Sequence, residues 1–301
     1  MEIIERVGEV RHRLAEIRRA SRPIVFVPTM GAFHEGHIEL MRRAKAGQDA
    51  ALSGTVSPYL VVSIFVNPTQ FGPGEDYRSY PRDMQGDLEK AREAGADLIF
   101  TPSVEEMYPG RHLSAIALAE ADSTTVEVGK LAEGMCGSHR PGHFRGMATV
   151  VCKLFNIIQP DAAYFGEKDY QQLKIIQRMV EDLQMPVKIV PISTVREPDG
   201  LAMSSRNAYL SAEERRAAAF LHKGLKATAT LFEKGERNAA ALIEEAKQVI
   251  AAEPLLRLQY IELRDADTLQ PLQTVKGNAV LALAAQIGKA RLIDNIILRV
   301  S

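Results

Sequence analysis

The chain has 301 residues, room for two domains, because single cores stop growing near roughly 250–300 residues. Hydrophobic residues make up 46% and charged residues 25%, which excludes a disordered or fibrous chain. With 37 basic against 38 acidic side chains the net charge is -1, so the positive excess that a dedicated nucleic-acid binder sets against phosphate is missing. Two cysteines, Cys136 and Cys152, cannot build a disulfide framework, which favours a reducing compartment. No segment reaches the ~20 apolar residues of a membrane span, and the charged start, MEIIERVGEVRHRL, is unlike a secretion signal. The expectation is a globular protein of the cytoplasm with no nucleic-acid or membrane partner.

In chain order, Ile4, Val7, Val10, Leu14 and Ile17 fall at helical spacing and predict an amphipathic helix over Ile3 to Arg19. Pro23 to Pro28 is a short, continuously apolar run, the pattern of a buried parallel strand. A helix opens near Gly36 and runs to Lys45. Leu60 to Val66 predicts a second buried strand, Asp83 to Ala94 a helix, and Ala96 to Phe100 a third strand. Then come a helix at Met147 to Ile158, a strand at Ala162 to Phe165, a helix at Lys168 to Leu183 and a strand at Val187 to Ile192. Strands alternating with helices imply βαβ units and a Rossmann-like open parallel sheet with helices on both faces.

After about residue 193 the alternation stops. Ser211 with Glu214 three places on is a capping-box signature at the head of an alanine-rich helix. A second helix starts near Asn238, and Leu258 to Leu263, Ala279 to Ala284 and Leu292 to Leu298 predict half-buried strands. The expected division is therefore an α/β domain at 1–193 and a smaller C-terminal α+β lid domain at 194–301. The small, polar run from Gly47 to Tyr59 is expected to be a surface loop.

Three stretches carry chemistry. The first is Val27 to His37, where a buried strand ends, Gly31 permits a tight turn, and His34 and His37 flank Gly36 as a helix opens. A helix N-terminus offers backbone N–H groups and a partial positive charge to an anion. Two histidines near a glycine are equally ordinary as surface loop residues. Their place at the C-terminal end of the first strand of an open α/β sheet, where ligands bind, favours the phosphate reading. Zinc ligation by the pair is disfavoured, because no further His/Cys cluster stands at ligand spacing. The second stretch is Tyr164 to Gln172, again at a strand-to-helix step, where Lys168 could reach a phosphate and Asp169 could accept from ribose hydroxyls. Plain helix capping would give the same residues. The third is Arg196 to Asn207, whose Ser204, Ser205 and Arg206 can clasp a polyphosphate, or simply form a polar linker. Its place at the expected domain junction suits a closing phosphate clamp.

Together these stretches match a family. The His-x-Gly-His motif with a later Ser-Ser-Arg loop resembles the HIGH-type nucleotidyl-transferring superfamily. Within it, PTMGAFHEGH (28–37), SIFVNPTQF (63–71), YPR (80–82), HFRGMATVV (143–151), FGEKDYQQL (165–173) and REPDGLAMSSRN (196–207) resemble the pantothenate synthetase family, from about Ile24 to Ile297. The resemblance implies condensation of (R)-pantoate with β-alanine, with ATP split to AMP and pyrophosphate through a pantoyl adenylate. It also implies Mg²⁺, held mainly by the ATP phosphates with no protein ligand identified, and a homodimer.

By the same resemblance, Met30, Gly31, Ala32, Phe33, His34, Glu35, Gly36 and His37 line the ATP site, and His37, His34 and Lys168 are the catalytic candidates. Gly166, Glu167, Lys168 and Asp169 map to adenosine and phosphate contacts, Val195 to the adenine side, and Met203, Ser204, Ser205 and Arg206 to the phosphate loop. Gln70 and Gln172 map to pantoate and β-alanine contacts, where neutral amides suit a hydroxyl-rich substrate. An ionised carboxylate needs no general base, so hydrogen-bond donation to the transferring phosphate is the expected task of the histidines. The stretch from Cys136 to Gly142 is expected to be a loop covering the site or a plain exposed loop, and His143 is unassigned. A nucleotidylyltransferase that releases a stable dinucleotide would share His34 and His37, but would need neither Gln70 and Gln172 nor a second domain. A nucleotide-binding protein that had lost activity would lack one of His34, His37, Lys168, Ser204, Ser205 or Arg206, and all are present.

Overall fold

The computed structural model describes residues 1–47, 56–110 and 124–300, so most of the loop expected at Gly47 to Tyr59 lies outside the described residues. The chain forms two compact units. The first comprises Met1–Ala132, Arg140–Glu167 and Ile175–Ile192; the second comprises Glu133–His139, Lys168–Lys174 and Ser193–Ser301.

The first unit is built on six parallel strands: β1 (Glu2–Ile4), β2 (Ile24–Thr29), β3 (Tyr59–Ile64), β4 (Leu98–Phe100), β5 (Ala162–Gly166) and β6 (Lys188–Ile192). Their order is β1-β4-β3-β2-β5-β6. The strands are apolar at consecutive positions because both faces are covered. On one face Val25, Val27, Leu60, Val62 and Ile99 pack with Ile38 and Met41 of α2 (Glu35–Ala46) and Ala91 of α3 (Met84–Glu93). On the other, α1 (Val7–Arg19) and α6 (His143–Ile158) lie against β2, where the Phe26 and Phe155 rings meet edge to face at 6.5 Å. A short helix, α4 (Val104–Met107), follows β4. This is the Rossmann-like architecture that the alternation of elements predicts.

Strand β1 is a departure, since Ile3 and Ile4 were expected at the head of the first helix. Ile4 happens to sit three residues before Val7, in helical register. Its backbone instead pairs with Phe100, and Ile3 with Ile99. A pair of β-branched residues with an open strand beside them gains ladder hydrogen bonds that a fraying first turn lacks. The helix therefore starts at Val7, after an extended Arg6.

The strand order fixes where a ligand can sit. From β2 the chain crosses outward to β3, and it returns to the opposite side of β2 as β5. The carboxyl ends of β2 and β5 flank this switch point, the usual ligand crevice of an open α/β sheet. Thr29 and Gly166 are those ends.

The second unit holds α5 (Met135–His139), the first turn of α7 (Tyr170–Asp182), the helices α8 (Ala212–Glu233) and α9 (Ala239–Ala251), and an antiparallel sheet. Its strands β7 (Arg257–Asp265), β8 (Ala279–Ile287) and β9 (Ala290–Leu298) lie in sequence order. Leu281, Leu283 and Ile287 of β8 pack with Leu221, Leu225, Leu242 and Ile250 of the two long helices. Alternate positions Val280, Ala282 and Ala284 are buried as well, so the central strand is not half-buried as its pattern predicts. Ser211 caps α8 with the reciprocal Glu214 bond that the sequence predicts.

Candidate active site

Between β2 and α2 the backbone makes a tight turn with two consecutive left-handed residues, Gly31 at φ 83° and Ala32 at φ 53°. A Cβ on Gly31 would lie 2.9 Å from Asp87 Oδ2, so glycine is required for space as well as for φ. The Asp87 carboxylate, from α3, accepts from the Ala32 N–H at 2.7 Å and the Phe33 N–H at 2.6 Å. Lys90, one turn on, donates to the Phe33 carbonyl at 2.8 Å. Burial pushes the Asp87 carboxyl above its ordinary range, against the pull of those two backbone bonds.

The turn delivers His34 as the N-cap of α2. Its Nδ1 accepts from the Gly36 N–H at 3.1 Å, while the His34 N–H donates to Nδ1 of His37 at 3.4 Å. This is a capping box made of imidazoles, and the ring centroids stand 4.1 Å apart. A backbone N–H can only donate, so each Nδ1 is unprotonated and each neutral ring carries its proton on Nε2. The N–H of Gly36, which an open helix end would offer to an anion, is used by the cap. The pair therefore carries its ring protons as two Nε2–H groups. Glu35 faces elsewhere, paired with Arg42 at 2.5 Å.

A second polar cluster of the first unit surrounds Gln70. After β3, Asn67 caps the short turn Pro68–Gln70. Asn67 Nδ2 donates to Gln70 Oε1 and to the Gly146 carbonyl, both at 3.2 Å, and its Oδ1 accepts from Tyr108 at 2.9 Å. Gln70 Nε2 donates to the Met30 Sδ at 2.9 Å, so both ends of the amide are held. His143 Nδ1 donates to the Gln70 carbonyl at 2.8 Å, which leaves its Nε2 to accept from Arg140 at 3.0 Å. Arg140 also clasps Glu75. Burial pushes Glu75 upward, but the Arg140 bond and charge outweigh it and hold the carboxyl below its ordinary range. Gly146 permits the close approach: a Cβ there would lie 2.2 Å from the Thr69 carbonyl oxygen.

Gly166 and Glu167 end the β5 segment of the first unit, and the second unit holds the candidates from Lys168 onward. Lys168 Nζ lies 3.6 Å from Asp169, and its carbonyl accepts from Asn295 at 2.8 Å. The adjacent glutamines divide the labour. Buried Gln171 bonds the Cys136 N–H and the Glu133 and Gly134 carbonyls, whereas Gln172 is half-buried on the first turn of α7. The Arg196–Asn207 loop folds back on itself through the Met203 N–H to Val195 bond at 3.0 Å. Arg196 is bidentate to buried Asp294 at 2.7 and 3.0 Å, and Arg215 pairs with Glu197 and Asp199. Ser204 then caps the short helix Ser205–Tyr209, accepting from the Arg206 N–H at 3.3 Å.

The family model of pantoate-beta-alanine ligase matches residues 2–297. The chain belongs to that family. It is 48% identical to the pantothenate synthetase of Moorella thermoacetica and 50% identical to that of Heliobacterium modesticaldum, over the full length of both chains in each case. The crystal structure of pantothenate synthetase from Thermus thermophilus superposes with a TM-score of 0.87 at 43% identity, covering all of both chains. That of the Francisella tularensis pantoate-beta-alanine ligase, complexed with β-γ ATP and β-alanine, gives 0.74 at 32% identity, covering all of this chain and 99% of that one. As a pantoate-beta-alanine ligase the enzyme is an ATP-dependent ligase.

The fold joins Met30 to Gln70 and His34 to His37 in the first unit. In the second it gathers Lys168, Asp169 and Gln172 on one helix start, and Val195 with Met203 to Arg206 in one loop. The sequence left Asp87, Lys90, Asn67, Arg140 and His143 without roles, although they brace the candidate residues. The stretch at 136–142, expected as a loop, begins as the helix α5, ordered by the Gln171 and Tyr260 contacts of Cys136. Its spacing of glycines masked a short helix. Among the described residues no group of three or more His, Cys, Asp or Glu could hold a metal ion, and no helix is long and apolar enough to cross a membrane.

Proposed function

We propose that the enzyme makes pantothenate in two steps on the residues described above. In the first, the ionised carboxylate of (R)-pantoate attacks the α-phosphorus of ATP and pyrophosphate leaves. In the second, the amine of β-alanine attacks the acyl carbon of the pantoyl adenylate, a proton is lost from nitrogen, and AMP leaves. A free carboxylate is a poor acyl donor, and the adenylate supplies its leaving group.

The observation that carries this reading is the imidazole capping box. With each Nδ1 occupied by a backbone N–H, His34 and His37 are fixed as Nε2–H donors before any substrate arrives. Preorganised donors of this kind stabilise charge that develops on a transferring phosphate without reorganising. Neither has to act as a base, because the attacking carboxylate is already ionised. Met30 to His37 are assigned to the ATP phosphates, and Gly166 to Asp169, Val195 and Met203 to Arg206 to the nucleotide, with Lys168 and Arg206 as cations for its phosphates. Gln70 and Gln172 are assigned to pantoate and β-alanine. A thioether is a weak acceptor, so the Gln70 Nε2–H resting on Met30 is readily claimed by a substrate oxygen.

Mg²⁺ is assigned to the ATP phosphates, which usually carry this octahedral ion. No step is assigned to it. The functional division proposed is residues 1–193 for ATP and pantoate and 194–301 as the smaller domain that supplies the phosphate loop. A homodimer in the cytoplasm completes the proposal, and light scattering of the purified protein tests the dimer.

Incubation with ATP, Mg²⁺ and pantoate, with and without β-alanine, tests the reaction. Pantothenate, AMP and pyrophosphate should form in equal amounts only with β-alanine in multiple turnover. Absence of pyrophosphate under both conditions would refute the proposal.

A further inference from the structure

We propose that Asp87 and Lys90 of α3 are positioning residues for the two histidines, fixing the peptide groups of Ala32 and Phe33 and thereby the attitude of the His34–His37 pair. The proposal rests on the phosphate role given to that pair. Asp87 and Lys90 are three residues apart, on one face of their helix. Between them they make three hydrogen bonds to two consecutive residues: the carboxylate accepts from both N–H groups, and the ammonium donates to the Phe33 carbonyl.

The turn needs this brace. Consecutive N–H groups in a left-handed stretch form a concave nest that attracts an anion. Here the anion is a side chain of the protein, seated against Gly31 with no room for a Cβ. Ala32 is a non-glycine residue at positive φ, a conformation that costs about 1 kcal/mol or more and persists only where the surroundings enforce it. The carboxylate meets both N–H groups of the turn at once with two separate oxygens, which the single acceptor oxygen of a neutral side chain of that length would not do.

The link to the chemistry is short. Phe33 directly precedes His34, whose N–H sets the tautomer of His37, and the Phe33 ring lies 5.4 Å from the His37 ring. A turn of the 32–33 peptides therefore moves both Nε2–H donors. Displacement of such groups by about 1 Å can lower a rate on the order of 100-fold.

The test compares Asp87→Asn, Lys90→Met and Lys90→Arg with the wild type. Readouts are Tm, kcat, KM for ATP and pantoate, and the imidazole ¹⁵N shifts of the ligand-free protein. Asp87→Asn keeps the shape but sets an amide donor against a backbone donor. It is expected to lower kcat on the order of 100-fold, with KM for pantoate little changed and loss of the paired Nε2–H signature. Lys90 is exposed, so Lys90→Met should fold. It is expected to lower kcat less than Asp87→Asn, and Lys90→Arg should restore it. A wild type that turns over beside an Asp87→Asn variant with unchanged kcat and imidazole shifts would overturn the proposal. Loss of kcat only in proportion to unfolded protein would do the same. If Asp87→Asn does not fold, equal kcat in Lys90→Met and Lys90→Arg overturns it. A wild type that forms no pyrophosphate would instead remove the phosphate role, while the ¹⁵N comparison still reads the brace.

Discussion

The enzyme holds two glycine-bearing loops in place by different physics. The histidine turn at Gly31–His37 is gripped through its backbone: Asp87 takes two N–H groups, Lys90 a carbonyl, and the histidines cap their own helix. The Arg196–Asn207 loop is gripped mainly through side chains: Arg196 on Asp294, Arg215 on Glu197 and Asp199, and Asn207 on Glu197. Backbone contacts fix peptide orientation and hence tautomers. Ion pairs fix position but leave a loop sensitive to charge, salt and pH. The first suits the pre-aimed donors proposed for the histidines, and the second the proposed phosphate loop, whose ligand is highly charged.

Substitutions should separate the two. The largest effect on activity is expected from His37→Ala, which removes one of the two donors proposed for the transferring phosphate. Loss of such a donor costs on the order of 100- to 1000-fold in kcat, and steady-state turnover measures it. Stability should fall by no more than about 1 kcal/mol, the cost of one cap bond, because His37 is half-buried on a helix end and outside the core cluster of the sheet. In the second loop the largest effect should fall on stability instead. Asp294 is buried, and Asp294→Ala strands the Arg196 guanidinium. The expected loss is about 3 kcal/mol, read by chemical denaturation.

Milder changes sharpen the contrast. Arg215→Met breaks a partly exposed network, for which about 1 kcal/mol is expected, vanishing at high salt. Asp199 gives this network a pH signature. The Arg215 bond and charge, helped by the Leu201 N–H, hold its carboxyl below the ordinary range. Its stabilisation is present above the unfolded-state pKa and is lost as pH falls through the lower folded value. The stability gap between wild type and Arg215→Met should therefore close in acid. A gap that widens in acid would reverse the assignment. An effect of similar size, about 1 kcal/mol, is expected from Ser211→Ala through loss of the α8 cap, with kcat unchanged.

The sequence carried most of the sheet, because buried parallel strands leave continuous apolar runs that neighbouring elements do not disguise. It misplaced Ile3 and Ile4, where helical spacing and an edge strand demand the same residues and only the partner strand decides. The family strings pointed to His34, His37, Gln70 and the Ser204–Arg206 loop. They also named Gln172 rather than Gln171, and the fold sets the two apart, with Gln171 buried on backbone partners and Gln172 half-buried beside it. Asp87 was invisible for a related reason. In a stretch as charged as Asp83 to Glu93 it reads as one more solvated carboxylate, and its burial against the histidine turn is a property of the tertiary fold.

The most direct test follows oxygen. With ¹⁸O in both carboxylate oxygens of pantoate, attack on the α-phosphorus places one labelled oxygen on phosphorus, and amide formation leaves it there. Mass spectrometry of the products should find one ¹⁸O in each AMP and one in each pantothenate. Unlabelled AMP, or ADP in its place, would contradict an acyl-adenylate route.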